Sequence, residues 1–294
     1  MAQPLIDFSP IYAAIGLLPL DCLAPRFMQQ ALLGLLLLTP MTAFLGIDVV
    51  NFRMSFFSDA VSHSAFTGVA LGLIFTMNPK FSIPAFGLFV GFAIMFVFRK
   101  SNLSADTAIG VIFSAVVAFG LAVISRASGM ARDMQRFLYG DILTIGEGEL
   151  TVLALLLLCM ILFHALACNR LLLIVVSPVM AKAHGVNTAF WQYAFAALLA
   201  LVVSLSVWAV GVFLVTALLI VPAAAARNLA ASTSGAFWWA LFIGVTSGFL
   251  GLVLSAQEWC SIASGAGVIL VACAWFAVSA ILAPRLGREK NGRF

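Results

Sequence analysis

Charged residues are scarce in this sequence. Of its 294 residues, 9% are Asp, Glu, Lys or Arg and 64% are apolar, whereas about one quarter of an ordinary soluble domain is charged. No polar stretch is long enough to fold as a separate soluble domain. The composition therefore excludes a soluble protein and predicts a polytopic integral membrane protein, with one domain over residues 1–294.

Several common sequence signatures are also missing. No GxxxxGK[S/T] phosphate loop occurs, so ATP binding by that route is excluded. The five cysteines show no paired C-x-x-C spacing, which favours packed thiols over disulfides or metal ligands. The apolar runs do not alternate as barrel strands do, so we expect an all-α fold. Residues 1–25 lack the basic start and long apolar core of a cleaved signal peptide, and we expect an interfacial or re-entrant segment there.

Apolar runs of about 20 residues, the length of a membrane-spanning helix, follow one another almost end to end. We predict eight or nine transmembrane helices, and the division near Trp208–Gly211 has the weakest signal. The predicted spans are 28–50, 55–76, 82–98, 107–125, 150–168, 190–208, 210–227, 236–257 and 263–283.

Basic residues are distributed unequally between the two sides of these spans. By the positive-inside rule, the richer side faces the cytoplasm, so we expect a multi-pass protein of the cytoplasmic (inner) membrane with a cytoplasmic tail, 284–294, and an external N-terminus. The charges flank spans and form no patch that would bind nucleic acid. The richer side holds Arg53, Arg99, Lys100, Arg170, Lys182, Arg227, Arg285, Arg288, Lys290 and Arg293, and the other side holds Arg26, Lys80, Arg126, Arg132 and Arg136.

A polar cluster, SDAVSHS at residues 58–64, lies between two apolar runs. Asp59 and His63 are four residues apart and share one helix face; counted from Arg53, they lie roughly 9 and 15 Å into a hydrocarbon core about 30 Å thick. Ionisable groups at that depth need a partner, a cavity or an ion, and a carboxylate with an imidazole suits Zn, Mn or Fe. Two alternatives remain open: a capped helix start with His63 bonded to a serine, or a proton relay or acid–base pair of an intramembrane enzyme.

The longer string MSFFSDAVSHSAFTGVALG closely resembles the signature of the metal-uptake permeases of ABC importers, in which an Asp and a His have this spacing. Four further segments resemble segments of that family in the same order, and the resemblance covers residues 26–284. These segments are SADTAIGVIFSAVVAFGLAVIS, FLYGDIL, VGVFLVTALLIVPAAAARNLA and SGAGVILVACAWFAVS.

The resemblance implies a permease subunit that carries divalent zinc, manganese or iron ions inward, and we favour zinc slightly. It implies a dimer, with a second copy or a sister permease, an extracytoplasmic metal-binding protein that delivers the ion, and separate cytoplasmic ATPase subunits. The chain would then be no enzyme and would hold no permanent cofactor, and Asp59 and His63 would contact the transported metal. A permease for metal chelates, such as siderophores or corrinoids, is the alternative in the same class.

Acidic residues in two other segments are weaker candidates for metal contact. Asp106 begins a helix on the cytoplasmic side, where it either complements the helix terminus or lies on the exit path. A second group, in ARDMQRFLYGDILTIGEGEL on the external side, would form the metal entrance, dock the binding protein or remain ordinary solvated acids. This group consists of Asp133, Asp141, Glu147 and Glu149.

The stretch SPVMAKAHGVN, in the cytoplasmic segment 177–187, is punctuated as a short helix from 178 to 184. A serine cap, a proline at the first helical position and a glycine at the C-terminal cap all favour this helix. The resemblance implies that it couples the permease to the ATPase, although Val179 stands where many members carry an acid. The coupling residues would be Ser177, Pro178, Ala181, Lys182 and Gly185.

Overall fold

The computed structural model describes residues 7–17, 19, 21–101, 103–125, 141–257 and 262–283. The described backbone forms α-helices, two short 3-10 turns and connecting loops, with no strand, so the predicted all-α fold is confirmed. The α-helices are α1 (Ser9–Gly16), α2 (Arg26–Asn51), α3 (Phe57–Ile74), α4 (Pro79–Lys100), α5 (Ala105–Ile124), α6 (Glu147–Val176), α7 (Pro178–Ala183), α8 (Thr188–Val210), α9 (Val212–Leu229), α10 (Thr233–Ser255) and α11 (Ser264–Leu282).

Eight of the described helices are long and apolar enough to cross a membrane, namely α2, α4, α5, α6 and α8 to α11. The remaining predicted span corresponds to α3, which has 18 residues and is therefore about 27 Å long. The prediction of eight or nine membrane-spanning helices is confirmed.

Polar side chains cap several of these helices at their N-termini. Asn78 accepts a hydrogen bond from the Lys80 N–H before α4, and Ser104 accepts one from the Thr107 N–H at the start of α5. Such caps satisfy N–H groups that have no partner within the helix. The loop sequences therefore set where these helices begin, although the spans themselves are almost uniformly apolar.

The helices form two groups around a central pair, which consists of α2 and α8. Helices α3, α4 and α5 pack together, and α3 and α4 pack against α8. Helices α9, α10 and α11 also pack together, and α9 and α10 pack against α2. Helix α6 contacts both α2 and α8. The most apolar windows of α2 and α8 are 72% and 61% buried, compared with 22% for α5 and α11. The outer faces of α5 and α11 are thus left for lipid or for another chain.

Helix α6 is longer than predicted. The predicted span ended at residue 168, but the helix continues to Val176. The Arg170 guanidinium lies 4.6 Å from the centre of the Trp191 ring on α8, a cation–π contact that accommodates the charge within the helix. The helix ends at Ser177 because Pro178 follows it, and a residue before proline is driven out of the helical conformation.

The division between α8 and α9 rests on a single residue. Gly211 separates Val210 from Val212 and has a φ of 92°. A residue with a Cβ rarely adopts that conformation. Two apolar helices therefore meet here without a polar loop, which explains why the sequence signal for the boundary was weak.

Charged groups lie at two opposite ends of the helix bundle. At the first, which we call the paired end, Arg26 pairs with Glu147 at 2.8 Å and Lys80 pairs with Glu149 at 3.4 Å. These residues begin α2, α4 and α6. At the second, which we call the basic end, arginines lie in or just after the last turns of α2, α4 and α9 and near the end of α6: Arg53, Arg99, Arg227 and Arg170. The grouping matches the two sets of basic residues read from the sequence, and the cytoplasmic location of the basic end remains a prediction.

Candidate functional site

Asp59 and His63 lie in the first and second turns of α3. The helix begins at Phe57, whose N–H donates to the Met54 carbonyl at 2.9 Å, after a five-residue connection from α2. Since the helical rise applies only from Phe57, the two residues lie about 3 and 9 Å from the start of α3. These distances are measured from the start of α3, and the depth of the pair in a membrane remains a prediction.

The face of α3 that carries the pair is partly open. Asp59 and His63 are half-buried, whereas Ser58, Ser62 and Ser64 are buried. The serines and the pair therefore occupy different sides of the helix. Helices α4, α5 and α8 pack around α3, and the pair lies where these neighbours leave the surface of α3 partly uncovered.

Aromatic rings hold the His63 imidazole in place. Its ring centre lies 5.7 Å from that of Phe66, on the same helix, and 5.4 Å from that of Phe113 on α5, which meets it edge-on. Aromatic pairs at such distances restrict the orientation of the ring without using its nitrogen atoms. Both nitrogens of His63 consequently remain available to a ligand.

The side chains of Asp59 and His63 have no hydrogen-bond or ion-pair partner among the described residues, whose ion pairs are Arg26–Glu147, Lys80–Glu149 and His164–Asp48. The alternative interpretation, a capped helix start with His63 bonded to a serine, required Ser58 or Asp59 to precede the first turn of α3. Helix α3 starts before Ser58 and Asp59, and the Ser58 hydroxyl donates to the Ser55 carbonyl at 3.5 Å. The carboxylate and the imidazole are therefore free to coordinate an ion together.

Asp59 and His63 do not complete a coordination shell by themselves. Within the described part of the chain, no group of three or more His, Cys, Asp or Glu residues is close enough to hold a metal ion. A transition-metal ion usually takes at least four ligands. The remaining positions would fall to water or to side chains of a second polypeptide on the open face of α3.

Asp106, a weaker candidate, is exposed in the first turn of α5. The helix cap is Ser104, whose hydroxyl oxygen accepts from the Thr107 N–H at 3.2 Å. Asp106 is placed to complement the positive end of the helix dipole. Among the described residues it belongs to no group of three or more His, Cys, Asp or Glu side chains that could hold a metal, and its place on an exit path remains a prediction.

The acids near the paired end have partners of their own. Asp141 accepts from the Leu143 N–H at 3.0 Å and caps a 3-10 turn. Glu149 accepts from the Gly146 N–H at 3.2 Å in addition to its ion pair. Asp133 lies outside the described residues. These contacts stabilise the helix ends, and a role of the acids at a metal entrance is still a prediction.

The short helix α7 projects at the basic end. The Ser177 hydroxyl oxygen accepts from the Met180 N–H at 3.2 Å, Pro178 is its first residue, and Gly185 beyond it has a φ of 75°. Val179 is 79% exposed and Met180 is 51% exposed, whereas Ala181 is fully buried. An exposed apolar surface on a short, well-capped helix is typical of a contact with another protein.

A second Asp–His pair, which the sequence analysis missed, lies between α2 and α6. The His164 Nδ1 atom is 3.5 Å from the Asp48 Oδ2 atom. Each residue stands alone in an apolar span, and a lone ionisable residue in such a span is itself a signal of function. Their proximity could not be read from the sequence, because it depends on how α2 and α6 cross.

The sequence of this chain was compared with those of known families and proteins. A profile described as the ABC 3 transport family matches residues 24–283. The manganese transport system membrane protein MntC of Listeria monocytogenes is 33% identical over 261 residues, which cover 89% of this chain and 92% of that protein. The high-affinity zinc uptake system membrane protein ZnuB of Haemophilus influenzae is 31% identical over 256 residues, 87% of this chain and 97% of that protein.

Solved structures agree with these sequence matches. A chain of PsaBC from Streptococcus pneumoniae in complex with Fab superposes with a TM-score of 0.75 and 28% sequence identity. The match covers 94% of this chain and 96% of that chain. The whole bundle therefore shares its architecture with a known protein.

Proposed function

Because the chain belongs to the ABC 3 transport family, we propose that it carries Zn²⁺ and related divalent ions inward along a pathway on which Asp59 and His63 contact the ion. The chain is a metal-uptake permease of ABC importers and crosses the cytoplasmic membrane several times. In this family ATP hydrolysis takes place on a separate subunit. The choice of ion, the contact residues and the partners constitute the proposal.

The observation that carries the proposal is the unsatisfied pair on α3. Asp59 and His63 are half-buried, and the structure describes no protein group that bonds to either side chain. An ionisable group inside a membrane protein normally faces a partner, a cavity or an ion. A carboxylate and a neutral imidazole one turn apart can share a divalent ion, which compensates for the water that both groups have lost.

The donor atoms of this pair favour zinc over manganese. Imidazole suits zinc, iron and copper, whereas manganese prefers carboxylate, carbonyl and water oxygens. In addition, the affinity of a given nitrogen and oxygen site is lowest for manganese among the first-row divalent ions. We therefore expect the Asp59–His63 pair to bind Zn²⁺ more tightly than Mn²⁺, whichever ion a delivery protein supplies.

A second permease subunit fits the open face of α3. The pair supplies two ligands, and a chain that covers this face would supply more while it encloses the pathway. A homodimer would place two Asp–His pairs opposite each other across a twofold axis, since the same surface of each copy meets in such an interface. A sister permease with an equivalent pair would serve in the same way.

The proposal also includes ATPase subunits and a metal-binding protein as partners. The chain has no phosphate loop, so the energy of ATP must come from cytoplasmic ATPase subunits. We assign their docking to α7, where Val179 and Met180 are exposed and Ser177 and Gly185 fix the helix ends. An extracytoplasmic metal-binding protein would deliver the ion at the paired end.

Uptake of radioactive zinc tests the role of the pair. The variants Asp59→Asn and His63→Gln keep the size of each side chain but weaken its binding to a metal. In cells that lack other zinc uptake, each should lower the initial rate by at least about tenfold, the loss typical even of residues that only orient a metal ligand. The control is Asp21→Asn, because Asp21 is exposed in a 3-10 turn and should leave uptake at the parental rate.

The same assay separates free ions from chelates. Unlabelled Zn²⁺ should compete with the label, and a ferric siderophore or a corrinoid should not. If both variants were present in the membrane at the parental level and transported at the parental rate, the proposed contact residues would be wrong.

A further inference from the structure

The Asp48–His164 pair is buried between two membrane-spanning helices. Asp48 lies on α2, three residues before its end at Asn51, and is 2% exposed. His164 lies on α6, and its side chain is 13% exposed. The proposed transport pathway uses neither residue. A carboxylate and an imidazole that are both buried between helices therefore call for a separate physical explanation.

The two side chains approach each other without forming a hydrogen bond. The Nδ1–Oδ2 distance is 3.5 Å, and neither these two atoms nor the His164 Nε2 atom has a hydrogen-bond partner among the described residues. Hydrogen bonds between nitrogen and oxygen are usually 2.7–3.2 Å long. A buried polar atom that lacks any partner is costly, so these atoms require a ligand that the chain itself does not provide.

Aromatic rings cover the imidazole on two sides. The ring centre of His164 is 5.4 Å from that of Phe44 on α2 and 5.2 Å from that of Phe237 on α10. The two phenylalanine rings also stack on each other at 5.4 Å. They shield the imidazole on two sides, and its Nδ1 atom lies 3.5 Å from the Asp48 Oδ2 atom. A ligand shared by both groups would therefore lie between the two polar side chains.

The spacing of the pair matches that of two ligands on one metal ion. Zinc binds histidine nitrogen and carboxylate oxygen at about 2.0–2.2 Å, and in a tetrahedral site two such atoms are then about 3.4 Å apart. The observed Nδ1–Oδ2 distance is 3.5 Å. We propose that Asp48 and His164 bind a divalent transition-metal ion at a second site, separate from Asp59 and His63.

The remaining ligands of this second site would be water molecules. The described residues contain no cluster of three His, Cys, Asp or Glu side chains close enough to hold a metal. The chain would therefore supply two ligands to the ion, and water would supply the others.

A cavity at the basic end lies near the pair, but neither Asp48 nor His164 lines it. It has a volume of about 540 Å³, and its lining includes Ile47 and Asn51 of α2, Leu172 of α6 and Ala236 of α10. Ile47 is next to Asp48, and Leu172 lies about two turns from His164. Arg53 and Arg227 also line the cavity, and their charge disfavours a cation within it. A bound cation is therefore expected at the carboxylate of Asp48 and not in the cavity beside the arginines.

Metal titration of the purified full-length chain in detergent tests the proposal independently of transport. The background variant Asp59→Asn/His63→Gln lacks the proposed pathway contacts. In this background we expect about one equivalent of Co²⁺ per chain to bind, with an absorption spectrum typical of nitrogen and oxygen ligands. The further change Asp48→Asn or His164→Gln should remove this equivalent, and Asp21→Asn should retain it.

A third variant distinguishes a ligand from a residue that only supports the fold. His164→Cys in the same background should keep the bound Co²⁺ and add a thiolate-to-cobalt charge-transfer band, because a thiolate replaces the imidazole as a ligand. Gel filtration confirms that each variant is folded. If the background variant bound no Co²⁺, or if binding survived both Asp48→Asn and His164→Gln, the second site would be excluded. Neither result would affect the proposed role of Asp59 and His63, which is measured by uptake.

Discussion

Helices α2 and α9 touch at Gly46, and replacement of this glycine by alanine should destabilise the bundle. A Cβ atom at Gly46 would lie 2.0 Å from the Leu219 carbonyl oxygen and 3.1 Å from the Ala223 Cβ atom. Ordinary contacts begin at 3.4 Å, so the two helices would have to separate by about 1.4 Å. The atom in the way belongs to the backbone of α9, and no change of side-chain rotamer can move it.

The expected cost follows from this separation. Overpacking of a well-packed interior usually costs about 1–3 kcal/mol, and Gly46→Ala should lie near the upper value because a whole helix has to shift. Alanine also raises the intrinsic stability of a helix by roughly 0.5–1 kcal/mol relative to glycine. The net loss in the free energy of unfolding should therefore be about 2 kcal/mol.

The matched control for this measurement is Gly110→Ala. Gly110 lies within α5, and a Cβ atom there would meet nothing within 4 Å, so only the gain in helix stability remains. Reversible unfolding of both variants by SDS in mixed micelles gives the two free energies. If Gly46→Ala were as stable as Gly110→Ala, α2 and α9 would not approach each other as the structure describes.

Three further predictions concern the pair on α3, the capped short helix and the paired end. Acidification should weaken Zn²⁺ binding to Asp59 and His63, because protons compete with the ion for the imidazole and a protonated imidazole cannot bind a metal. Equal affinities by calorimetry at neutral and acidic pH would contradict this. Ser177→Ala removes the cap of α7 and should destabilise that helix by about 1 kcal/mol. The amount of zinc taken up per ATP hydrolysed should therefore fall. If this amount were unchanged, α7 would not couple the permease to the ATPase. Glu149→Gln removes the ion pair with Lys80, whose side chain is 57% exposed. Because exposed ion pairs contribute little, the free energy of unfolding should change by less than about 1 kcal/mol. Thermal melts of the parental protein and the variant measure this change.

Much of the architecture could be predicted because the relevant signals are local. Apolar length alone identifies a membrane-spanning helix, and the serine, proline and glycine around α7 define a short helix by their own conformational preferences. The extension of α6 beyond residue 168 was not predicted, and it includes Arg170. The contact of Arg170 with Trp191, which lets α6 continue to Val176, depends on how α6 and α8 pack, and no local pattern encodes that packing.

The candidate site likewise has features that follow from the local sequence and features that depend on how the helices pack. That Asp59 and His63 share a face follows from their spacing, since residues four apart are neighbours on any α-helix. Their depth does not follow from this spacing, because α3 begins only at Phe57 and a non-helical connection separates it from α2. The contact between His63 and Phe113 joins two helices, so it required the tertiary structure.

The two Asp–His pairs should respond differently to conformational change. Asp59 and His63 belong to one helix, so the backbone of α3 fixes their separation, and an ion held between them could be retained while neighbouring helices move. Asp48 and His164 belong to α2 and α6, and their Nδ1–Oδ2 distance of 3.5 Å persists only while those helices keep their relative position. A metal ion bound between them favours the conformation in which the ligands are close, by as much as its affinity differs between the conformations. The second site, where occupied, would therefore bias the position of α6 against α2, whereas an ion at the first site need not.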